Sequence, residues 1–224
     1  MSPGLPPVIA IDGPSASGKG TVAYCVARRL GFHYLDSGAL YRTVALAALE
    51  AGIDLDDESR VSAIALNANI GFRNEQIWLG SRDVTEAIRE EKVSEGASRV
   101  AALRGVRAML LERQHAFRMA PGLVAEGRDM TTIVFPDAVL KVYLTAGAEE
   151  RARRRYKQLI DKGLSANMTA LLQDIHARDA RDSGRAVAPL QRSVDAIEID
   201  TTGMTVEEAS AQIVSCYGQA LRAP

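Results

Sequence analysis

Short apolar runs alternate with longer segments of helical periodicity along this chain. The runs are rich in β-branched and aliphatic residues and lie at 8–11, 32–35, 122–126, 139–144 and 196–200. A short continuous apolar run is typical of a strand buried on both faces of a parallel sheet. The segments between them repeat apolar residues every three or four positions, as at Val22, Val26 and Leu30. The alternation predicts an α/β fold with a doubly wound parallel sheet.

The pattern changes after position 53. Short strand-like pieces at 69–72, 76–79 and 82–85 are separated by turn residues, which predicts a small antiparallel meander inserted between helices. We therefore predict a core of residues 1–52 and 120–224 with an inserted region at 53–119.

A long helical pattern, 91–119, closes the predicted insert, and we expect Gly105 to break it into two helices. On one straight helix Ser98 and Arg107 would point about 180° apart, at ~100° per residue. A break near Gly105 allows both side chains to face one pocket. Taken alone, Ser98 would be a packed serine and Arg107 a solvated charge.

The first strand and the first helix are joined by a glycine-rich loop. Two glycines stand five residues apart, and a lysine follows the second directly, which is the spacing of a phosphate-binding loop. Backbone N–H groups and the helix dipole would both favour phosphate there. The residues predicted to bind nucleoside triphosphate are Gly13, Pro14, Ser15, Ala16, Ser17, Gly18, Lys19, Gly20 and Thr21.

Gly20 stands where the general motif has a magnesium-binding hydroxyl, and the hydroxyl follows at Thr21. The direct metal ligands are therefore unknown from the sequence. The alternative interpretation, an ordinary Gly/Ser turn with a surface lysine, fits poorly between a strand and a helix.

Polar residues follow two other predicted strands. Asp36, Ser37 and Arg42 come after the second strand, and Arg128 and Asp129 follow the third. The carboxyl edge of a parallel sheet is where ligands bind. Asp36 or Ser37 could equally be a plain helix cap.

The segment from about 150 to 185 is rich in arginine. Arg151, Arg154 and Arg155 share one helix face, and Arg178, Asp182 and Arg185 share another. The second set could be a surface ion-pair ladder worth under ~1 kcal/mol per pair. It could also be a clamp for phosphate and sugar, because the guanidinium fork matches phosphate oxygens. We predict a helical lid that moves over an anionic ligand.

The net charge and the lengths of the apolar runs indicate which kinds of partner the protein is expected to bind. The 224 residues carry a net charge of −1, so no global field favours nucleic acid or anionic membrane. The opening MSPGLPPV lacks the features of a signal peptide, and no apolar run reaches membrane-spanning length. We expect a cytoplasmic protein that binds neither nucleic acid nor membrane.

A triphosphate loop, a polar sheet edge and an arginine-rich lid together favour phosphoryl transfer between two bound substrates. A phosphate acceptor is already anionic and needs no general base. This agrees with His33, His115 and His176, which share no motif and are interpreted as structural or exposed. Lid closure would exclude water as a competing acceptor.

Four segments resemble bacterial cytidylate kinases, in the order IAIDGPSASGKGT, LDSGALYR, EGRDMTTIVFPDA and RDARDSGRAVAPL. The resemblance covers nearly the whole chain. It implies a P-loop kinase that phosphorylates CMP and dCMP with ATP and Mg²⁺, and acts as a monomer with an inserted CMP-binding region.

The resemblance also implies residue roles. Cytosine would be recognised by Ser98, Arg107 and Asp129. The acceptor phosphate would be held by Arg42, Arg128 and Arg185, and the sugar by Asp182 and Arg178. Asp36 and Ser37 would line the CMP pocket, while Arg155 and Arg181 would close with the lid on ATP. The residues implied to act in catalysis are Lys19, Arg128, Asp129, Arg178, Asp182 and Arg185.

Two positions depart from the family pattern. Glu126 replaces a frequent Asp, and Thr131 stands where Gly is common, a change that we expect to affect only a local turn.

Two other functions stay open. One is a kinase for another small acceptor, such as uridylate, shikimate or a coenzyme precursor. The other is a nucleotide-binding switch or a nucleic-acid-associated ATPase, which would need a separate basic surface and a hydroxyl directly after Lys19.

Overall fold

The computed structural model describes residues 4–73, 76–161 and 163–222. Packing divides the chain into two compact units, one of Met1–Leu35 with Phe117–Pro224 and the other of Asp36–Ala116. This division by packing begins the second unit at Asp36. The predicted insert at 53–119 is the region expected to bind CMP, and its boundaries stay a prediction.

In the first unit strands mostly alternate with helices, but two helices, Ala148–Asp161 and Met168–Ser183, follow each other without a strand between them. Only the short helical turn Met130–Val134 separates the strands Leu123–Gly127 and Leu140–Thr145. The strands are β1 (Val8–Asp12), β2 (His33–Asp36), β3 (Ile70–Arg73), β4 (Gln76–Leu79), β5 (Arg82–Asp83), β6 (Leu123–Gly127), β7 (Leu140–Thr145) and β8 (Ile197–Asp200). The helices are α1 (Lys19–Leu30), α2 (Ser37–Glu50), α3 (Glu58–Asn67), α4 (Glu91–Val100), α5 (Arg104–His115), α6 (Ala148–Asp161), α7 (Met168–Ser183) and α8 (Val206–Ala220).

The central sheet of the described chain has the strand order β2-β6-β1-β7-β8. Strand β1 pairs in parallel with β6 and β7, and β7 pairs in parallel with β8. All residues of β1 and β6 are buried, which explains why their sequences are apolar without alternation. The predicted parallel sheet is confirmed.

Helices α1 and α8 bury their apolar stripes against this sheet. Val22 and Val26 of α1 form one cluster with Ile213 and Tyr217 of α8. Helix α8 begins with a capping box, in which Thr205 and Glu208 each bind the other's backbone N–H. No helix in the described ranges is both long and apolar enough to cross a bilayer.

The second unit contains the predicted antiparallel meander, ordered β3-β4-β5. Its last strand is shorter than predicted and ends at Asp83. The N–H of Ile77 donates to the side-chain hydroxyl of Thr85 at 2.9 Å, whereas the register of β4 and β5 would direct it to the backbone carbonyl of Val84. The ladder therefore stops two residues early.

The long helical pattern is broken as predicted, but Gly105 is not the break. Helix α4 ends at Val100 and α5 begins at Arg104, so Gly105 lies inside the first turn of α5. Its N–H donates to Glu58 Oε1 at 2.6 Å. A Cβ at this position would lie 2.3 Å from Ser62 Oγ. The glycine serves close packing against α3, and the expectation about its role was wrong.

Candidate active site

The glycine-rich loop leaves β1 at Asp12 and enters α1 at Lys19. Two of its residues adopt left-handed backbone, Ala16 with φ of 56° and Gly18 with φ of 88°. Left-handed residues within such a loop turn successive N–H groups toward one concave side, which forms an anion site at the start of the helix. Alanine pays roughly 1–2 kcal/mol for this conformation, and strain of this kind concentrates at functional sites.

Position 13 requires a glycine because the neighbouring strand of the sheet leaves no space for a Cβ. A Cβ here would lie only 2.0 Å from the carbonyl oxygen of Leu144 in β7. The loop therefore leaves the sheet in van der Waals contact with the neighbouring strand. Gly13 therefore serves close approach of the loop backbone to Leu144.

Lys19 is the first residue of α1 and is only 8% exposed. Its Nζ donates to the carbonyl oxygen of Pro14 at 3.3 Å and lies 3.7 Å from Glu126 Oε2. Glu126 is buried in β6, directly opposite Ile11 of β1. The ammonium group is thus held across the loop by one carbonyl and one carboxylate. Thr21, by contrast, is exposed.

A cavity of about 370 Å³ opens beside the loop. It is lined by Ser17 and Thr21, by Arg154 of α6, and by Thr201 and Thr205 between β8 and α8. Its size is within the range of pockets for small ligands. The residues after β8 match no motif, so the sequence alone does not identify them as part of a site.

The side chains that follow β6 and end α7 form a buried ionic cluster. Arg128 Nε donates to Asp182 Oδ2 at 2.7 Å, and Arg185 Nη2 donates to Asp182 Oδ1. Burial alone raises the pKa of Asp182, but the charges of Arg128 and Arg185 outweigh it and hold that pKa below its ordinary value. Arg178 adds to the same effect. The structure therefore brings Arg128, Arg178, Asp182 and Arg185 together.

Asp129 is 3% exposed and precedes a π-helical turn, Met130–Val134. The start of this turn is fixed by Asp12, at the end of β1. Asp12 Oδ1 accepts from the N–H of Met130 at 2.9 Å, and Oδ2 accepts from the N–H and hydroxyl of Thr131 at 2.8 and 2.7 Å. Thr131 thus affects more than a local turn, because its hydroxyl binds a strand far away in the sequence.

Burial raises the pKa of Asp12 to about 6, with the hydrogen bonds from Thr131 and Met130 opposing the rise. Asp12 is not among the site residues predicted from the sequence. A carboxylate ending a buried strand beside a glycine loop is the signal that could have found it.

The second unit carries the other predicted CMP residues. Asp36 Oδ1 accepts from the N–H of Ala39 at 3.0 Å and so caps α2, as the alternative interpretation allowed. Ser37 is buried in the first turn of the same helix, and Arg42 is half-buried one turn later.

Ser98 is buried near the end of α4. Arg107 Nη1 donates to the carbonyl of Ala101 at 3.4 Å, and its guanidinium carbon lies 6.0 Å from the ring centre of Tyr41. The break between α4 and α5 thus lets Arg107 reach back to the end of the helix that carries Ser98. A shared cytosine pocket stays a prediction.

The arginines of α6 divide into two kinds. Arg151 and Arg154 donate to loop carbonyls, those of Ser15 and Ser17, which the sequence did not predict. Arg155 is half-buried in α6, and Arg181 of α7 is exposed.

The three histidines show no catalytic arrangement. Neither His115 nor His176 is buried, and His33 Nε2 lies 3.0 Å from the carbonyl of Ala120. In the part of the chain that the structure describes, no three His, Cys, Asp or Glu side chains cluster as a metal site.

Comparison with known proteins identifies a family whose members resemble this chain over nearly its whole length. The cytidylate kinase family model matches residues 9–219. Cytidylate kinase from Nitrosomonas europaea is 51% identical over 97% of this chain and 97% of its own length. The cytidylate kinase of Bordetella bronchiseptica is 56% identical over 96% of this chain and 97% of its own, and that of Azotobacter vinelandii is 56% identical over 94% of both.

A solved protein of uncharacterised function from Eubacterium ventriosum superposes with a TM-score of 0.50. It covers 95% of this chain and 98% of its own chain, at 12% identity, so the likeness extends to the fold alone.

Proposed function

This chain belongs to the cytidylate kinase family, and on that premise we propose that it transfers the γ-phosphoryl group of ATP to CMP or dCMP, giving ADP with CDP or dCDP. The observation that carries this function is the match over nearly the whole chain, with the strand, glycine loop and helix formed as a phosphate site requires.

ATP is assigned to the first unit. The N–H groups of Gly13 to Thr21 would hold its phosphates, and Lys19 would reach the transferred group from its position at the start of α1. The cavity between the loop, α6 and the segment after β8 is contiguous with Ser17 and Gly18, which supports its assignment to the nucleoside end of ATP. Arg155 and Arg181 are assigned to the ATP phosphates on lid closure.

Kinases of this family use ATP with a divalent metal ion, and we propose Mg²⁺. Magnesium is commonly held by substrate phosphates, waters and one or two carboxylates rather than by a protein cage. The residues fit that pattern, because Glu126 places one buried carboxylate beside Lys19 and the loop. The ion would supply neutralisation of phosphate charge.

The residues proposed for CMP come from both units. In the first unit Arg128 and Arg185 would hold the acceptor phosphate, while Asp182 and Arg178 would contact the sugar and Asp129 the cytosine. Two arginines share the one carboxylate of Asp182, so positive charge remains available to an anion. In the second unit the proposed residues are Asp36, Ser37, Arg42, Ser98 and Arg107.

No general base is required in this mechanism, because the acceptor oxygen is already charged. The residues act by alignment and by neutralising charge in the transition state. Arg151 and Arg154 fix the start of α6 to the loop. The last turns of α7 are held at two points, by Asp179 on Arg151 and by Asp182 on Arg128. The moving part of the lid is therefore assigned to the stretch between these attachments, where closure would exclude water.

A coupled assay of ADP release with ATP and each nucleoside monophosphate tests this function. CMP should be the preferred acceptor, with UMP, AMP and GMP slower. Equal turnover of all four, or turnover of shikimate instead, would refute it. Because Asp182 and Arg178 are proposed to grip more than the 2′-hydroxyl, dCMP should also react, and its complete failure would remove them from the sugar site.

We further propose that the enzyme is a cytoplasmic monomer that binds neither nucleic acid nor membrane. A single species near 24.1 kDa in sedimentation, unchanged by added RNA or anionic vesicles, is the expected result.

A further inference from the structure

Two arginines of helix α6 donate hydrogen bonds to backbone carbonyl oxygens of the phosphate loop. Arg151 Nη1 donates to the carbonyl oxygen of Ser15 at 3.2 Å, and Arg154 Nη1 donates to that of Ser17 at 3.0 Å. The two arginines therefore bind alternate carbonyl groups of a loop whose N–H groups are assigned to ATP.

The consequence follows from peptide geometry. In a planar trans peptide the C=O and the next residue's N–H point in opposite directions. A donor on the carbonyl of Ser15 therefore fixes the N–H of Ala16 on the other side. A donor on the carbonyl of Ser17 does the same for the N–H of Gly18. These are the two residues with left-handed backbone.

Ala16 makes this restraint necessary. Its left-handed conformation carries strain that rotation of the adjoining peptide would relieve, and such rotation would turn an N–H away from the phosphates. A hydrogen bond from a charged donor opposes the rotation.

Arg151 is itself held in place by a second element. Its side chain is 6% exposed and forms a two-pronged ion pair with Asp179 of α7, at 3.0 Å to Oδ1 and 2.6 Å to Oδ2. Its Nε donates to the carbonyl of Ala146 at 3.0 Å. These contacts use both arms of the planar guanidinium, an arrangement that lysine cannot reproduce.

We propose that Arg151 is a positioning residue for the phosphate loop and that Asp179 acts through it, so that α7 sets the orientation of the loop N–H groups toward the triphosphate. The inference rests on the proposed function only for the identity of the ligand as ATP.

The test measures the affinities for ATP and for CMP separately by calorimetry, in Arg151→Met, Asp179→Asn and the double variant. Arg151→Met should weaken ATP binding about tenfold, the effect of losing a charge-assisted hydrogen bond, and Asp179→Asn roughly threefold. CMP affinity should stay within about twofold in each. Because Asp179 acts through Arg151, the double variant should bind ATP no more weakly than Arg151→Met.

Arg153→Met is the matched control, since Arg153 is on the same helix and pairs with Glu150, but its side chain is 69% exposed. It should bind ATP as the original chain does. Arg151→Lys provides a second variant if Arg151→Met does not fold. It keeps the charge, cannot form the fork, and should lose ATP affinity as well.

Three outcomes would overturn the proposal: unchanged ATP affinity in Arg151→Met or Arg151→Lys, equal loss of ATP and CMP affinity, or additive effects in the double variant. If the unaltered chain binds ATP but not CMP, that result would count against the proposed function. The positioning role of Arg151 would still be decided by the ATP affinities of the variants.

Discussion

Arg128 Nε and Asp182 Oδ2 lie 2.7 Å apart and join the end of β6 to the last turn of α7. Asp182 is 1% exposed and also accepts from Arg185. The carboxylate thus orders two guanidinium groups while cancelling only one of their charges. An arrangement of this kind is suited to a dianionic ligand, because it is both rigid and positive.

Removal of this carboxylate should affect both stability and activity. Asp182→Asn leaves two largely buried guanidinium groups without their counter-charge, and loss of one partner of a buried pair costs about 3–5 kcal/mol. We expect a fall of that order in the free energy of unfolding, measured with urea. We also expect kcat/KM for CMP to drop by more than about a hundredfold, because misplaced charges stabilise the transition state poorly.

Asp195→Asn is the control for this prediction. Asp195 pairs with Lys141 but its side chain is 59% exposed. Its loss should cost under about 1 kcal/mol and leave activity unchanged. Equal costs for the two substitutions would show that the Asp182 cluster is no more than a surface ion pair.

Gly13 and Gly20 should respond differently to alanine. In Gly13→Ala the new Cβ meets the backbone carbonyl of Leu144, so β1 and β7 must separate, and we expect a loss of about 3 kcal/mol or more. In Gly20→Ala the nearest atom, Glu126 Oε1, is at an ordinary 3.5 Å, and helix α1 gains a better helix former. Gly20→Ala should therefore be as stable as the original chain. Thermal unfolding of both variants checks this, and similar melting temperatures would contradict the close approach to Leu144.

The fold and the phosphate loop could be predicted from the sequence because both depend on local patterns. Apolar runs identify buried strands, and the spacing of Gly13, Gly18 and Lys19 identifies the loop. Arg151 could not be singled out, because its helix face looks like a solvated basic face until tertiary packing brings Ser15 against it. Gly105 was misinterpreted for a similar reason, since its neighbour Ser62 is distant in sequence.

The raised pKa of Asp12 predicts that this carboxyl group makes a pH-dependent contribution to the free energy of unfolding. Its pKa is about 6 in the folded chain against an ordinary 3.8, so the folded state binds the proton more tightly. The contribution is fully present below pH 3.8 and is lost as pH rises through about 6. Two pKa units correspond to about 3 kcal/mol.

Asp12→Asn isolates the contribution of this carboxyl group, because the variant keeps all other titrating groups of the original chain. Between pH 4 and pH 7 the original chain should lose about 2 kcal/mol more unfolding free energy than the variant, because the unfolded carboxyl is already partly ionised at pH 4. Urea denaturation at several pH values measures the difference. Parallel pH profiles for the two proteins would show that Asp12 is not perturbed.

Asp129 is proposed to recognise cytosine, whose amino group can donate to a carboxylate. Asp129→Ala should therefore reduce kcat/KM for CMP by about tenfold to a hundredfold, since a buried polar contact is left unmade. ATP affinity should change far less. Comparable losses for both nucleotides would indicate that Asp129 supports the fold around the π-helical turn instead.

Transfer of the γ-phosphoryl group from ATP to CMP is the reaction proposed for this chain. Direct chromatography of a reaction containing only the purified protein, ATP, Mg²⁺ and CMP tests it. CDP and ADP should appear in equal amounts and in step, and substitution of Lys19 by Met should abolish both. Formation of ADP with free phosphate and no CDP would contradict the account, because it would identify a nucleotide hydrolase rather than a kinase.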